Sequence, residues 1–130
     1  MKMDVDDCRI LNLPKIADPR GNLTFVEGRK HIPFDIKRIF YIYGVDNSIR
    51  GGHRHKSLVQ AAICLQGSCV VDNNDGAKKE TFVLDVPSKC LVLEPRDWHQ
   101  MRNFTPNAIL MVLASEYFDP AEYIYEKYED

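Results

Sequence analysis

The stretch Arg50-Gly51-Gly52-His53-Arg54-His55-Lys56 pairs the two residues best suited to chemistry in this chain. Two of the four histidines stand two residues apart, behind a Gly-Gly turn and ahead of the apolar run 58–65. Residues i and i+2 of a strand share one face. His53 and His55 therefore project both imidazoles to one side of a sheet, and they line a pocket if that side is the inside of a small barrel. Imidazole is the side chain that transfers protons most readily near neutral pH, and it is also the commonest metal ligand. The pair alone is open to either use.

The elements that must position it are mostly strands. Runs rich in Val, Ile, Leu, Phe and Tyr fall at 9–13, 22–27, 37–43, 59–65, 68–72, 80–84, 90–94, 99–104 and 109–114. Turn clusters separate them, among them Asp18-Pro19-Arg20-Gly21-Asn22, Gln66-Gly67, Asn73-Asn74-Asp75-Gly76 and Thr105-Pro106-Asn107. Many short strands at near-regular spacing predict an all-β sandwich or barrel. One helix is expected at the C-terminal end, with Asp119 as N-cap, Pro120 at the first helical position and Glu122 where a capping box wants a carboxylate. Tyr117, Phe118, Tyr123, Tyr125 and Tyr128 give that end an aromatic surface, suited to packing on the barrel or on a second subunit, or to stacking on a ligand.

At 130 residues the chain is one domain, 1–130, large enough to bury a core. A net charge of −2 argues against nucleic acid as a partner. Acidic residues gather at the ends (Asp4, Asp6, Asp7; Glu122, Glu126, Glu129, Asp130) and basic ones in the middle, a distribution that suits a small anionic ligand. Cys8, Cys64, Cys69 and Cys90 show no metal-type spacing. No basic-then-apolar leader opens the chain, and no apolar stretch approaches membrane-spanning length. The expectation is a cytoplasmic protein with reduced thiols and no membrane contact.

Gln60 follows His55 by five residues, with Gly67 seven further on. Pro95-Arg96-Asp97-Trp98-His99 leads to Asn103, four beyond His99. These two motifs resemble those of the cupin superfamily, whose fold is a double-stranded β-helix, or jelly-roll barrel. In metal-binding cupins two histidines, a glutamate and a later histidine hold the ion. Here Gln60 stands in the glutamate's place, and Asp97 stands near that of a glycine. A neutral amide is a weaker ligand than a carboxylate and cancels no charge on a divalent ion. Arg50, Arg54 and Lys56 repel a metal and attract an anion. The balance shifts from metal binding to proton transfer.

A tighter resemblance runs in order along nearly the whole chain. It rests on Asp18-Pro19-Arg20-Gly21-Asn22-Leu23, on Ile32-Pro33-Phe34-Asp35-Ile36-Lys37-Arg38-Ile39-Phe40-Tyr41-Ile42 and on the Arg50 to Lys56 segment. It continues through Cys64-Leu65-Gln66-Gly67-Ser68-Cys69, Pro95-Arg96-Asp97-Trp98-His99-Gln100-Met101 and Met111-Val112-Leu113-Ala114-Ser115-Glu116-Tyr117. The chain resembles the sugar-nucleotide 3,4-ketoisomerases of the WxcM-like (FdtA/QdtA) group. That family usually has Ala between the histidines; Arg54 stands here, on the opposite face of a strand, which should spare the site.

The resemblance implies an isomerase acting on a dTDP-linked 4-keto-6-deoxyglucose, moving the ketone from C4 to C3 ahead of an aminotransferase, in 3-amino-3,6-dideoxysugar synthesis for surface polysaccharide. It implies no cofactor and no metal. It also implies a homodimer that exchanges N-terminal strands, residues 9–13 here. Such chemistry needs a base near neutral pKa, a second proton carrier and a donor to the enediolate oxygen. His53 is assigned as the base at C3 and His55 as shuttle or C4 acid, with exchange of these roles open. Tyr41, placed on a central strand, is assigned to the ketone, or else to core packing. Arg38, Arg50 and Lys56 are assigned to the diphosphate.

Gln60 is assigned to a sugar hydroxyl or a histidine nitrogen, with a bulge or turn needed to correct its parity. Trp98 is assigned to the pocket wall or the core, and His99 to the pocket as a third imidazole or to the core. Asn22 and Arg102 are assigned to the face from which C4 is protonated, Arg102 reaching inward only if alternation breaks after His99. His31 is expected at the surface. Rival readings are a nucleotide-sugar 3,5-epimerase, a metal-dependent cupin oxygenase and a non-catalytic sugar-binding cupin.

Overall fold

The computed structural model describes residues 9–129. In chain order the strands are β1 (Ile10–Asn12), β2 (Lys15–Asp18), β3 (Gly21–Thr24), β4 (Arg38–Ile42), β5 (Arg50–His55) and β6 (Gln60–Gln66). They continue as β7 (Cys69–Asn74), β8 (Lys79–Leu84), β9 (Lys89–Leu93), β10 (Trp98–Arg102), β11 (Ile109–Ala114) and β12 (Tyr123–Ile124). One sheet runs β1-β9-β6-β11-β4, a second runs β12-β5-β10-β7-β8, and β2-β3 form a separate hairpin. The antiparallel pairs nest around the β7–β8 turn: β7 with β8, β6 with β9, β5 with β10, β4 with β11. Nested pairing of this kind is one long hairpin rolled into a barrel, the jelly-roll form of the cupin fold.

Patterning explains which strand goes where. β7 and β10 alternate buried and half-buried residues, so one face meets the core and the other meets solvent. β6 and β9 are buried along almost their whole length. Their inner face joins Leu84, Leu110 and Val112 in the core between the sheets. Their outer face is covered by Ile32 and Phe34 from the long connection before β4, forming a second cluster with Ile63, Cys90 and Leu113. Strands covered on both faces read as continuous apolar runs. Gly67 makes the β6–β7 turn at φ +69, and a Cβ there would lie 2.2 Å from Thr105 Oγ1, so only glycine fits.

Each anticipated strand overlaps an observed one; β2, β12 and β5, which carries the histidine pair, are additional to those runs. The C-terminal helix is corrected to a single 3-10 turn, Pro120–Glu122. Asp119 does cap it, accepting from Ala121 N at 3.0 Å. Glu122 does not reach back to that cap. Its carboxylate accepts instead from Ser57 N, Ser57 Oγ and Leu58 N, 2.9–3.0 Å away. Tyr123-Ile124 then pairs with β5, so strand pairing by β-forming residues outweighs a local helix signal. Cys64, Cys69 and Cys90 are buried free thiols; Cys8 and the acidic Asp4, Asp6 and Asp7 lie outside the described residues. Among the described residues no helix is long and apolar enough to cross a membrane.

Candidate active site

The Gly-Gly pair sets the geometry of β5 against β10. Gly51 and Gly52 both have positive φ, +85 and +83. A Cβ on Gly51 would press on His99 O and Met101 Sδ at 3.0 and 3.1 Å. Glycine thus lets β5 approach β10 closely, beside a register shift between His99 and Gln100. Beyond the shift His53 pairs directly with His99.

Three imidazoles meet as a result. The His53 ring centroid lies 4.9 Å from that of His55 and 5.2 Å from that of His99, and His55 lies 6.0 Å from His99. His53 and His99 line a cavity of about 240 Å³ inside the barrel, with Arg50, Gln60, Met101 and Tyr123 also on its wall. Tyr123 stacks on His53 at 4.6 Å with the rings 8° from parallel. His55 and His99 are buried and His53 is half-buried.

Burial decides the charge state. It pushes His99 down to about 4, opposed by the bond to the Asp97 carbonyl. His55 is pushed down to about 3, first by burial and then by its neighbours His53 and His99. His53 is lowered by burial, and its backbone contact with Gly51 works the other way. All three are neutral imidazoles at pH 7, each with one lone pair free to take a proton. His99 Nδ1 sits 3.0 Å from Asp97 O, which makes Nδ1 the protonated nitrogen and Nε2 the acceptor. His55 Nε2 is buried with no hydrogen-bond partner among the described residues.

Asp97 is held in turn. Its carboxylate is fully buried, forks with the Arg9 guanidinium (one bond at 2.9 Å) and accepts from Glu94 N at 2.7 Å. The residue that departs from the cupin motif's glycine thus pins the turn that aims His99. Its role was hidden in the sequence, because its partner lies 88 positions away.

Cations stand near this cavity. Arg50 lies on the wall and is exposed. Arg38 shares the parity of Phe40 and Ile42, and its guanidinium lies 5.2 Å from the Phe40 ring and 5.5 Å from Phe118. Gln60 is buried on the wall, brought round by the turn between β5 and β6 that its parity required.

The remaining assigned residues fall elsewhere in this chain. Tyr41 is 61% exposed on the outer face of β4, an edge strand and not a central one, beside Tyr43. Phe40 and Ile42 take the inward positions, so Tyr41 cannot. Lys56 is exposed just past β5. Trp98 faces outward, donating Nε1–H to Tyr125 O at 3.2 Å beneath the Lys127 ammonium. Arg102 also faces outward, 2.6 Å from Asp72, because alternation along β10 continues unbroken. Asn22 lies on the β2–β3 hairpin, in a groove with Lys15 and Leu65. His31 is half-buried, Nδ1 accepting from Glu27 N. Arg54 turns away from the cavity and lies 4.5 Å from the Tyr128 ring. Tyr123, anticipated only as part of an aromatic surface at the C-terminal end, lies on the cavity wall. Its signal was the two-residue spacing of Tyr123 and Tyr125 about Ile124, a strand pattern.

The trio does not suit a metal. Among the described residues no group of three or more His, Cys, Asp or Glu is arranged to hold an ion. Where a cupin metal site wants a carboxylate, Gln60 supplies a neutral amide. No step is therefore assigned to a metal.

A jelly-roll barrel whose inner wall carries neutral imidazoles beside Arg50 is a barrel of the cupin type. The chain belongs to the family described as FdtA: WxcM-like, C-terminal, whose model matches residues 6–130. It is 43% identical over 117 residues to a TDP-4-oxo-6-deoxy-alpha-D-glucose-3,4-oxoisomerase of Aneurinibacillus thermoaerophilus, spanning 89% of this chain and 84% of that one. It is similar to a solved histidine-to-asparagine variant of the 3,4-ketoisomerase QdtA from Thermoanaerobacterium thermosaccharolyticum, in complex with TDP-4-keto-6-deoxyglucose. That match has 42% identity and a TM-score of 0.87, covering 90% of this chain and 86% of that chain. The TDP-quinovose 3,4-ketoisomerase WlaRB from Campylobacter jejuni matches with 44% identity and a TM-score of 0.88, over 92% of this chain and 93% of that chain.

Proposed function

We propose that this chain is a TDP-4-keto-6-deoxyglucose 3,4-ketoisomerase. The C4 ketone acidifies the proton on C3. Neutral His53 removes that proton and O4 gains one, giving the enediol. The O3 hydroxyl then loses its proton, C4 gains one, and the ketone stands at C3. His55, 4.9 Å from His53 and uncharged, carries protons between these positions. Arg50 and Arg38 meet the diphosphate, where a guanidinium fork serves two phosphate oxygens. Gln60 offers donor and acceptor to a sugar hydroxyl. The single observation that carries the reading is the neutral His53 on the cavity wall, in a chain 43% identical to a named 3,4-oxoisomerase.

The test is incubation of the protein with TDP-4-keto-6-deoxyglucose followed by NMR. The expected result is transfer of the carbonyl from C4 to C3. A substrate that binds and stays unchanged overturns the reading.

The active form is a homodimer. Among the described residues β1 is an edge strand bonded to β9 alone, so a second copy can supply it. Ile39, Tyr41 and Tyr43 leave the outer side of β4 and its exit apolar and more than half exposed. Sedimentation at micromolar concentration should give twice the chain mass. The reaction runs in the cytoplasm, where buried free thiols stay reduced, and its 3-keto product passes to an aminotransferase.

A further inference from the structure

The C-terminal segment is a strap, and one of its rings lies on the base. Tyr123 is parallel to His53 and edge-on to His55, 5.1 Å away at 86°. Anchors on both sides hold it there. Before it, Asp119 caps the 3-10 turn and the Glu122 carboxylate takes Ser57 N and Leu58 N. Lys56 N donates to Glu122 O at 3.1 Å. After it, Tyr125 O accepts from Trp98 Nε1, and the Tyr128 hydroxyl donates to Arg96 O at 2.7 Å. Tyr123 itself pairs with His55 in the β5–β12 register. So many anchors on a two-residue strand fix where its aromatic ring lies.

A flat ring stacked on an imidazole does two things. It restricts rotation of the imidazole about its second side-chain torsion, which is otherwise broad. It also keeps water from one face. We propose that Tyr123 is a positioning residue for His53, its ring holding the imidazole plane in line with the cavity and closing that face to solvent. The ring and not the hydroxyl does this, so phenylalanine serves as well. The groups that face His53 are His55 on its own strand, His99 on β10, Tyr123 and Tyr125 on the strap, and Arg50 on the wall. Arg38 and Glu122 act on it through His55. Of these only the strap residues can be altered without touching the other imidazoles or the cations.

The experiment has two arms, and only the kinetic arm rests on the ketoisomerase reading. In the first, the imidazole carbon-bound protons of labelled ligand-free protein are followed by NMR against pH. Wild-type His53 should titrate below 6.5, and Tyr123→Ala should move its midpoint up toward that value, while Tyr123→Phe leaves it in place. In the second, Tyr123→Ala should lower kcat about tenfold or more with KM changing less than about threefold, the pattern of a misaimed base. Tyr123→Phe should stay within about threefold of wild type in both. Tyr123→Leu fills similar space without a flat ring and carries the test if the alanine variant does not fold. The proposal is overturned if the Ala or Leu variant leaves the His53 midpoint and kcat as in wild type. It is equally overturned if Tyr123→Phe falls as far as they do. A wild-type protein that turns over no keto sugar defeats the isomerase reading alone, because the titration arm still reports on the strap.

Discussion

The two faces of the β5–β10 pair differ in how they treat polar groups. Outward, most polar side chains are partnered, although the buried Arg54 Nε has no hydrogen-bond partner among the described residues. Arg102 and Gln100 both bond Asp72, Trp98 reaches Tyr125 O, and Arg54 lies against Tyr128. Arg102, Gln100 and Thr81 hold Asp72 down at about 2 against a modest burial effect. Inward, His53, His55 and His99 gather with ring centroids 4.9, 5.2 and 6.0 Å apart, and burial dominates all three. A fold selected for stability alone would fill those inward positions with aliphatic residues, as Met101 and Val71 do beside them. Polar groups left short of partners on a cavity wall mark where chemistry is done.

The largest effect should come from the inward face. His53→Asn keeps the size and a hydrogen-bonding edge but no base, so it should cut turnover about 1,000-fold with the fold intact by circular dichroism. Turnover near wild type would remove His53 from the mechanism.

Acid should next separate the faces. Unfolded histidines titrate near 6.5, while His99 and His55 in the fold titrate near 4 and 3. Between those values the unfolded chain binds more protons, so stability falls as pH is lowered from about 6.5 toward 4. The loss from His99 alone should be on the order of 3 kcal/mol, read from denaturant midpoints. The outward Asp72 is already ionised across that range and should contribute nothing until the pH drops below its unfolded value, near 3.8. A midpoint flat from pH 7 to 4.5 would contradict the burial argument.

Arg102→Ala should cost little stability, since its ion pair is partly exposed. Turnover should stay within about twofold, because the side chain never reaches the cavity. A tenfold loss would return Arg102 to the site. The smallest effect should be that of EDTA, which leaves activity unchanged; loss restored by a divalent ion would contradict the reading of Gln60.

Much of this was legible in the residues. The two-residue spacing of His53 and His55 put both on one face, and it put Arg54 on the other. The turn clusters divided the chain into strands that nest as a jelly roll. The parity of Gln60 called for a turn after β5, and a turn there brings it to the cavity wall. What was not legible depended on partners distant in sequence. Asp119 and Pro120 begin a helix by local rules, but β5 offered Tyr123 and Ile124 a strand partner 68 to 70 positions earlier, and that pairing prevailed. Tyr41 was misplaced because alternation says which residues share a face, not which face is inside; Phe40 and Ile42 took that side. Trp98 and Arg102 lie on the outward face of β10, out of phase with His99. Asp97 could not be valued without Arg9.

The most direct test of the central claim is the position of deuterium after turnover in deuterated water. An imidazole pair working across C3 and C4 should place one deuterium at C4 of a 3-keto product and leave C5 unlabelled. It should also exchange the C3 proton of recovered substrate. Deuterium at C5, with the ketone still at C4, would contradict the account and make the same histidines serve an epimerase.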